Sequence, residues 1–290
     1  MAFPIIEIID LTVLGIMTGL LYGVLALGLN IVWGVMNVIN IAHGDFVIVG
    51  SYASYWLFVL LGINPILSLL FTIPFGFCLG GITYLGVIRR VQDKPELMSL
   101  LLTFGLSTLI GGLLLYVYSA DQRAVPYYLS AFHIAGLNIP QTDLVAAVYA
   151  VIVALALRVF LFRTFWGKAI RAVIEDRTSS LLVGINPNAV SLLSFAIGIS
   201  IATSVGSIVM LLSSVSPVSG ASFTLISFVI VVLGGQGSPV GSIVGGIIIG
   251  LVDSLALLFQ INAALTPAIG FIILVIVLVI RPQGIMGRRH

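Results

Sequence analysis

A cluster of polar side chains interrupts the apolar sequence between residues 37 and 45, where the chain reads NVINIAHGD. Amide, imidazole and carboxylate groups can bind a solute, and they are costly at membrane depth unless they face protein or water. Gly44 in this run permits a backbone bend that other residues resist. Two interpretations stay open: a polar turn that caps helix ends, or a broken helix that lines a solute pathway or gate. The candidate residues are Asn30, Asn37, Asn40, His43 and Asp45.

The longest polar interruption is residues 164–186, TFWGKAIRAVIEDRTSSLLVGIN. Apolar residues recur there at roughly helical spacing, so the pattern predicts a short helix with one apolar and one charged face. The apolar positions are Ile170, Val173, Ile174 and Leu181. Arg171 and Glu175 are four residues apart and could pair, and Gly184 and Pro187 then end the helix. Such a segment is either an interfacial connector or a docking helix for a soluble partner.

A glycine-rich run, LGGQGSPVGS at 233–242, precedes a further apolar stretch. Gly241 with Gly245, and Gly246 with Gly250, form two GxxxG pairs, which let helices approach closely in lipid. They predict tight helix packing inside the chain, with a flexible gate or a dimer contact as the alternative. Asp253 follows in the same stretch; it is either a functional acid or a residue near the membrane edge.

The elements that must position these residues are membrane spans. Of the 290 residues, 60% are hydrophobic and 8% charged, against about 25% charged in soluble domains. Because about 20 apolar residues cross a bilayer as a helix, the sequence predicts an all-α polytopic membrane protein with eight or nine transmembrane helices. The predicted spans are 11–33, 45–62, 65–88, 97–118, 142–163, 187–213, 221–234, 240–260 and 264–281, of which 221–234 could be a half-span or re-entrant.

The positions of the basic residues predict the orientation. With nine spans and the N-terminus outside, eleven of the twelve Lys and Arg residues are cytoplasmic, and only Arg123 lies elsewhere. The loop 119–141 is then the only sizeable outside loop. It is either an interfacial loop with an aromatic belt, or part of a surface that receives a solute-binding protein. The whole chain, 1–290, is expected to form a single transmembrane domain.

Several kinds of chemistry are disfavoured. The single cysteine, Cys78, allows no disulfide within the chain, and no Cys/His cluster suggests a metal. No GxxxxGK[ST] loop is present, so ATP hydrolysis is not expected of this chain. An intramembrane protease is a poor fit, because the residues before Asp45 are Ala42-His43-Gly44 rather than Gly-x-Gly. The net charge of only +2 suggests no nucleic-acid partner.

Three strings resemble the permease subunits of ABC importers of the branched-chain amino acid type, which also includes urea and amide permeases. They are Asn40–Asp45, then Gly167–Ala172 with Asp176 and Gly184–Asn186, and then Phe228–Ser238. They occur in the family's order, and the resemblance runs from about Leu14 to Gly284. The chain departs from the family after Asp176, where Arg177-Thr178-Ser179-Ser180 replaces a Pro-Glu-Ala-Ala-like run.

The resemblance implies a multi-pass protein of the inner (plasma) membrane. It further implies a second homologous permease, two cytoplasmic ABC ATPases that bind ATP and magnesium, and a solute-binding protein outside. In such importers the segment 164–186 is a cytoplasmic coupling helix, which assigns coupling to Lys168, Arg171, Glu175, Asp176 and Gly184. The expected function is alternating-access import of branched-chain amino acids, or of a related amino acid, urea or amide. An ion-coupled secondary transporter or a channel remains the alternative.

Overall fold

The protein is a bundle of long apolar helices. The computed structural model describes residues 5–127, 130–134, 137–259 and 266–287. Its helices are α1 (Ile5–Met36), α2 (His43–Leu61), α3 (Pro65–Gly86), α4 (Glu96–Tyr118), α5 (Gln141–Arg163), α6 (Phe165–Glu175), α7 (Arg177–Leu182), α8 (Pro187–Leu212), α9 (Gly220–Gly234), α10 (Pro239–Leu258) and α11 (Thr266–Ile280). Short 3₁₀ turns at Ile88–Arg90 and Pro217–Ser219 precede α4 and α9.

The prediction of an all-α polytopic membrane protein is confirmed. In the described part of the chain, eight helical segments are long and apolar enough to cross a membrane. The stretch predicted as a half-span or re-entrant piece is α9, which reaches 18 residues only with its preceding 3₁₀ turn. The last predicted span, 264–281, contains α11, although its first two residues lie outside the described ones.

The loop 119–141 contains an element that the sequence pattern did not predict. Strands β1 (Ala131–Ile134) and β2 (Leu137–Pro140) pair antiparallel there. The carboxylate of Asp10 in α1 accepts a hydrogen bond from the backbone N–H of Asn138, at 3.2 Å. This small hairpin is therefore hydrogen-bonded to the N-terminal part of α1. Tyr128, one of the loop's aromatic residues, lies outside the described part of the chain.

Helix α8 has the largest buried share of the candidate spans, and hydroxyl groups join it to α3. The hydroxyls of Thr72 and Ser207 lie 2.8 Å apart, and the Ser200 hydroxyl donates to the Ile73 carbonyl at 2.8 Å. A Cβ added to Gly80 would lie 2.9 Å from the Cα of Ala196. Because lipid offers no water to such groups, this contact depends on small residues and on hydrogen bonds between helices.

The glycines of α10 form two packing faces. An added Cβ at Gly241 or Gly245 would meet the backbone of α9, at Gly234 and Ile230 respectively. One at Gly246 or Gly250 would overlap the backbone of α1. Both GxxxG pairs are therefore occupied by contacts within the chain.

On the facing side of α1, glycine recurs every fourth residue. Gly15, Gly19 and Gly23 all face α10, and a Cβ on Gly19 would lie 2.7 Å from the Gly246 carbonyl oxygen. Helices α1 and α10 are consequently in backbone contact over several turns.

We expect Gly250→Ala to lower the free energy of unfolding by about 1–3 kcal/mol, the usual cost of overpacking. The new methyl group would overlap the Gly15 carbonyl and the Gly19 backbone, neither of which can rotate away. SDS titration in mixed micelles measures the change. Gly111→Ala on α4 is the matched control, because nothing lies within 4 Å of a Cβ there. Equal stability of the two variants would contradict the packing described.

Candidate functional site

The polar run 37–45 forms a turn inside the helix bundle. Helix α1 ends at Met36 and α2 begins at His43, whose Nε2 donates to the carbonyl of Leu25 at 3.0 Å. Leu25 lies eleven residues before the end of α1, which is about 16 Å along the helix axis at 1.5 Å per residue. The stretch 37–42 therefore runs back beside α1, and α2 starts at membrane depth.

Side chains of two other helices form hydrogen bonds with the backbone of this turn. The Thr224 hydroxyl of α9 accepts from the Gly44 N–H at 2.8 Å and donates to the Ile41 carbonyl at 2.8 Å. The Thr103 hydroxyl of α4 lies 2.9 Å from the Ile39 carbonyl. Irregular backbone at membrane depth persists only where protein or a water-filled cavity surrounds it. Here α9 and α4 supply the surrounding protein.

Gly44 allows α9 to approach this closely. A Cβ at position 44 would overlap the Gly220 carbonyl oxygen, and it would lie 2.5 Å from the Thr224 backbone nitrogen. The sequence predicted a backbone bend at Gly44. The structure places Gly44 in the first turn of α2 instead, where the missing side chain makes room for the start of α9.

Asp45 lies where two helices begin. It is in the first turn of α2, and its carboxylate touches Gly220, the first residue of α9. Helix N-termini carry partial positive charge from their free N–H groups, so this junction favours an anionic side chain. The hydroxyl of Ser107 on α4 lies near the same carboxylate. Three helices thus define the surroundings of Asp45.

Several polar atoms of the turn are buried without a hydrogen-bond partner in the described part of the chain. They are both amide atoms of Asn40, Nδ1 of His43 and Oδ2 of Asp45. These residues are 1%, 0% and 5% exposed. Buried polar groups are almost always paired, so these atoms stand out by their unused hydrogen-bonding capacity. No hydrogen bond or ion pair joins His43 to Asp45 among the described residues.

The other two candidates, Asn37 and Asn30, lie apart from these unpaired polar atoms. Asn37, at the end of α1, is exposed and has a left-handed backbone with φ 52°. Asn30 is buried, and its amide accepts from the Gly237 N–H at 2.6 Å and donates towards Ser238 and Ser242 at 3.0 and 2.6 Å. With its polar atoms engaged, Asn30 holds the glycine-rich loop between α9 and α10.

Asp253 lies at a second cavity, away from the turn. It is half-buried on α10, where the Tyr22 hydroxyl is hydrogen-bonded to its carboxylate. The two residues line a space of about 360 Å³ together with side chains of α9 and Gly270 of α11. The acid therefore has a partner on α1 within the chain.

The amphipathic segment consists of two helices, α6 and α7, with Asp176 between them. Asp176 ends α6, and its carboxylate accepts from the Thr178 and Ser179 N–H groups at 2.8 and 3.1 Å at the start of α7. The Ser179 hydroxyl donates to it as well. These bonds, led by the Ser179 hydroxyl, lower the pKa of the Asp176 carboxyl. Asp176 is thus the N-cap that starts α7.

Helix α6 packs its apolar face on the bundle. Ala169, Ile170 and Val173 are buried there, and a Cβ on Gly34 of α1 would lie 3.7 Å from Ile174. The opposite face is exposed and includes Lys168, Arg171, Glu175 and Asp176. Arg171 nevertheless contacts its own chain, since its Nε donates to the Leu161 carbonyl at 3.0 Å and its guanidinium covers Phe162 at 4.4 Å. An Arg171–Glu175 pair stays a prediction.

Helix α7 ends in an exposed apolar tip. Leu181 was expected on the buried apolar face, but it is 57% exposed, and Leu182 and Val183 are 86% and 74% exposed. The break at Asp176 shifts the helical phase, so the periodicity of α6 does not continue into α7. Gly184 follows with φ 80° and is exposed, while Pro187 begins α8 rather than ending the segment.

Thr103, Thr224 and Gly220 contact the turn but were not among the residues predicted from the sequence. Single hydroxyl residues in apolar helices carry little pattern of their own. The glycines of α1 did carry a signal, because Gly15, Gly19 and Gly23 are spaced like a GxxxG motif.

The fold and the site define a class: a multi-pass membrane protein with an irregular polar turn at membrane depth and an amphipathic segment between two spans. The family model described as "Branched-chain amino acid transport system / permease component" matches residues 11–278. The chain belongs to this family. It is a permease subunit of the inner membrane rather than an enzyme, and the resemblance to ABC importer permeases is confirmed.

Curated relatives agree with this assignment over nearly the whole chain. The high-affinity branched-chain amino acid transport system permease protein LivH of Salmonella typhimurium is 28% identical over 295 residues, covering 94% of each chain. BraD of Pseudomonas aeruginosa, a permease protein of the same description, is 27% identical over 94% of each chain. A probable LivH of Methanocaldococcus jannaschii is 27% identical over 91% of this chain and 87% of its own. No solved structure gives a significant match.

We expect Thr224→Val to lower the free energy of unfolding by about 1–3 kcal/mol, because the Ile41 carbonyl and the Gly44 N–H both lose their partner. Valine keeps the shape of threonine, so the change isolates the hydroxyl. SDS titration in mixed micelles measures the effect. Thr12→Val is the control, since the Thr12 hydroxyl bonds only within its own helix. A Thr224→Val protein as stable as this control would show that the turn does not depend on α9.

The Asp176 cap should depend on pH. Because the folded pKa is lowered, its stabilisation is present above the ordinary aspartate pKa and is lost as pH falls through the lowered value. Hydrogen exchange of residues 177–183, corrected for the intrinsic pH dependence, should accelerate at that acidic end. Asp176→Asn keeps a cap that does not titrate, so its protection should stay flat. The same acceleration in both proteins would assign it to another group.

Proposed function

We propose that this chain and a second homologous permease form the membrane passage of an ATP-driven importer for branched-chain amino acids, or for a related amino acid, urea or amide. The observation that carries the proposal is the near full-length similarity to permeases named for branched-chain amino acid transport. An external solute-binding protein delivers the solute. ATP and magnesium are bound by two cytoplasmic ATPase subunits, not by this chain.

The α6–α7 segment is proposed as the coupling element. Its outer face combines charged side chains with the apolar tip Leu181–Val183. A soluble partner with a cleft would bury the apolar tip and pair with the charges, whereas a segment lying only in the headgroups would bury the tip in lipid. Lys168, Arg171, Glu175 and Asp176 take part from α6 and its end, and Gly184 provides the turn back to α8.

The turn 37–45 is proposed as the pathway or gate. Its unpaired polar atoms on Asn40, His43 and Asp45 are buried in this conformation, and a small zwitterion or its hydration water would contact them when the passage opens. Asn37 lies at its exposed end, and Asn30 supports it by fixing the loop that follows α9. So few polar groups provide a passage rather than a selective site, which leaves the choice of solute to the binding protein.

The docking role predicts that Leu182→Asp and Lys168→Glu, singly and together, reduce the ATPase that co-purifies with the tagged chain from mild detergent. Both side chains are exposed, so folding should be unaffected. We expect the double variant to lose about tenfold or more of the bound ATPase, as for central interface residues. Quantitative mass spectrometry of the eluate measures this. Arg281→Glu is the matched control: an exposed charge reversal just after α11, away from the segment.

Unchanged ATPase binding in the double variant would exclude the docking role of this segment. A wild-type chain that purifies without any ATPase, and moves radiolabelled leucine into vesicles without ATP, would contradict the importer itself. An ion-coupled carrier or a channel would then be the better description.

A further inference from the structure

A cluster of hydrogen bonds and one ion pair joins the coupling segment to the loop between α3 and α4. The Gln92 amide accepts from the Tyr84 hydroxyl at 2.8 Å and donates to the Asn188 side chain at 2.7 Å. Arg177, the first residue of α7, reaches the same Asn188 oxygen at 3.4 Å and pairs with Asp93 at 3.2 Å. Gln92 is only 8% exposed and Tyr84 only 1%. Loop 87–95 is therefore bonded to α7 and to the start of α8.

Loop 87–95 is short and anchored by buried side chains, so a displacement of α7 can be transmitted through it to α4. A 3₁₀ turn, Ile88–Arg90, lies in the first half of the loop, and Ile88 is fully buried. Pro95 directly precedes α4. A movement of α7 that carries Gln92 and Asp93 with it would consequently move the first turn of α4.

Helix α4 is poorly anchored elsewhere in the described part of the chain. Only Ser99, Thr103 and Leu114 of its 23 residues are buried. Near its outer end the Tyr118 ring stacks on Tyr52, with centroids 4.2 Å apart. Between its two ends, α4 touches the polar turn through Thr103. A helix that is held at both ends and contacts the turn in its middle, through Thr103 and Ser107, is suited to move those contacts.

The Thr103 contact can be broken without leaving the hydroxyl unpaired. Besides the Ile39 carbonyl at 2.9 Å, its one proton has acceptors within its own helix, the Ser99 carbonyl at 2.8 Å and the Leu100 carbonyl at 3.3 Å. If α4 shifts, the proton stays bonded within the helix while the Ile39 carbonyl is released. Ser107, one turn further along, lies near the Asp45 carboxylate.

We propose that loop 87–95 and α4 form a lever that transmits movement of the docked α6–α7 segment to the turn 37–45. Gln92 is the positioning residue at the coupling end, and Thr103 is the positioning residue at the turn. The inference rests on the proposed function, since it needs an ATPase that moves α7. It adds a transmission route outside the coupling segment itself.

The test uses the complete complex of both permeases and both ATPases in proteoliposomes with its binding protein. Leucine taken up per ATP hydrolysed is measured for Gln92→Leu and Thr103→Val. We expect this ratio to fall about threefold or more, as for residues that carry coupling, while ATPase remains bound and ATP is still hydrolysed. Thr108→Val is the matched control, because its hydroxyl is on α4 but bonds only to the Phe104 carbonyl.

A ratio for Gln92→Leu and Thr103→Val equal to that of Thr108→Val would overturn the lever. If Gln92→Leu fails to assemble, Asp93→Arg decides the coupling end. The single change should lower the ratio, and the swapped pair Asp93→Arg with Arg177→Asp should restore it; no restoration would count against the lever. Failure of the proposed function looks different, because the wild-type complex would then lack bound ATPase or ATP-dependent uptake.

Discussion

The constraint on which this structure depends is that backbone groups at membrane depth must find their partners inside the protein. Residues 37–42 leave the helix and return beside α1, so of their N–H and C=O groups only the Asn37 N–H and the Ala42 carbonyl continue the helical ladders on either side. Thr224 of α9 and Thr103 of α4 supply partners, and His43 bonds back to α1. The turn therefore requires three other helices to stay close to it, and the arrangement of those helices follows from that requirement.

Glycine makes this closeness possible. In lipid there is no water to release between helices, so packing and hydrogen bonding must hold them together. Gly246 and Gly250 bring α10 against the backbone of α1, and Gly241 and Gly245 bring it against α9. Asn30 then fixes the loop between α9 and α10. The glycine-rich run and the polar turn, which are far apart in sequence, thus serve the same junction: they place the start of α9 at Asp45.

The spans were predictable because bilayer thickness sets helix length, and the ends of α3, α4 and α5 lie within two residues of the predicted ones. The position of the turn at membrane depth was not predictable. The six residues 37–42 have no periodicity that distinguishes a loop at the membrane surface from one that folds back into the bundle. Leu181 shows the limit of periodicity: its helical phase was counted through Asp176, where the helix breaks. Asn30 was grouped with the turn by nearness in sequence, although its contacts lie more than 200 residues further on.

The same constraint bears on how such a passage could open. Moving α1, α9 or α10 would separate helix backbones that are in contact at several glycines. Each lost contact would cost dispersion energy and hydrogen bonds that lipid cannot replace. The glycines of α4 have no such backbone contacts among the described residues, and the Thr103 bond to the turn has a second acceptor within its own helix. An energy input that reaches Asp45 and Asn40 through α4 therefore meets the least resistance. This favours a device driven from the proposed coupling segment α6–α7 over one in which a coupled ion must repack the glycine-lined core.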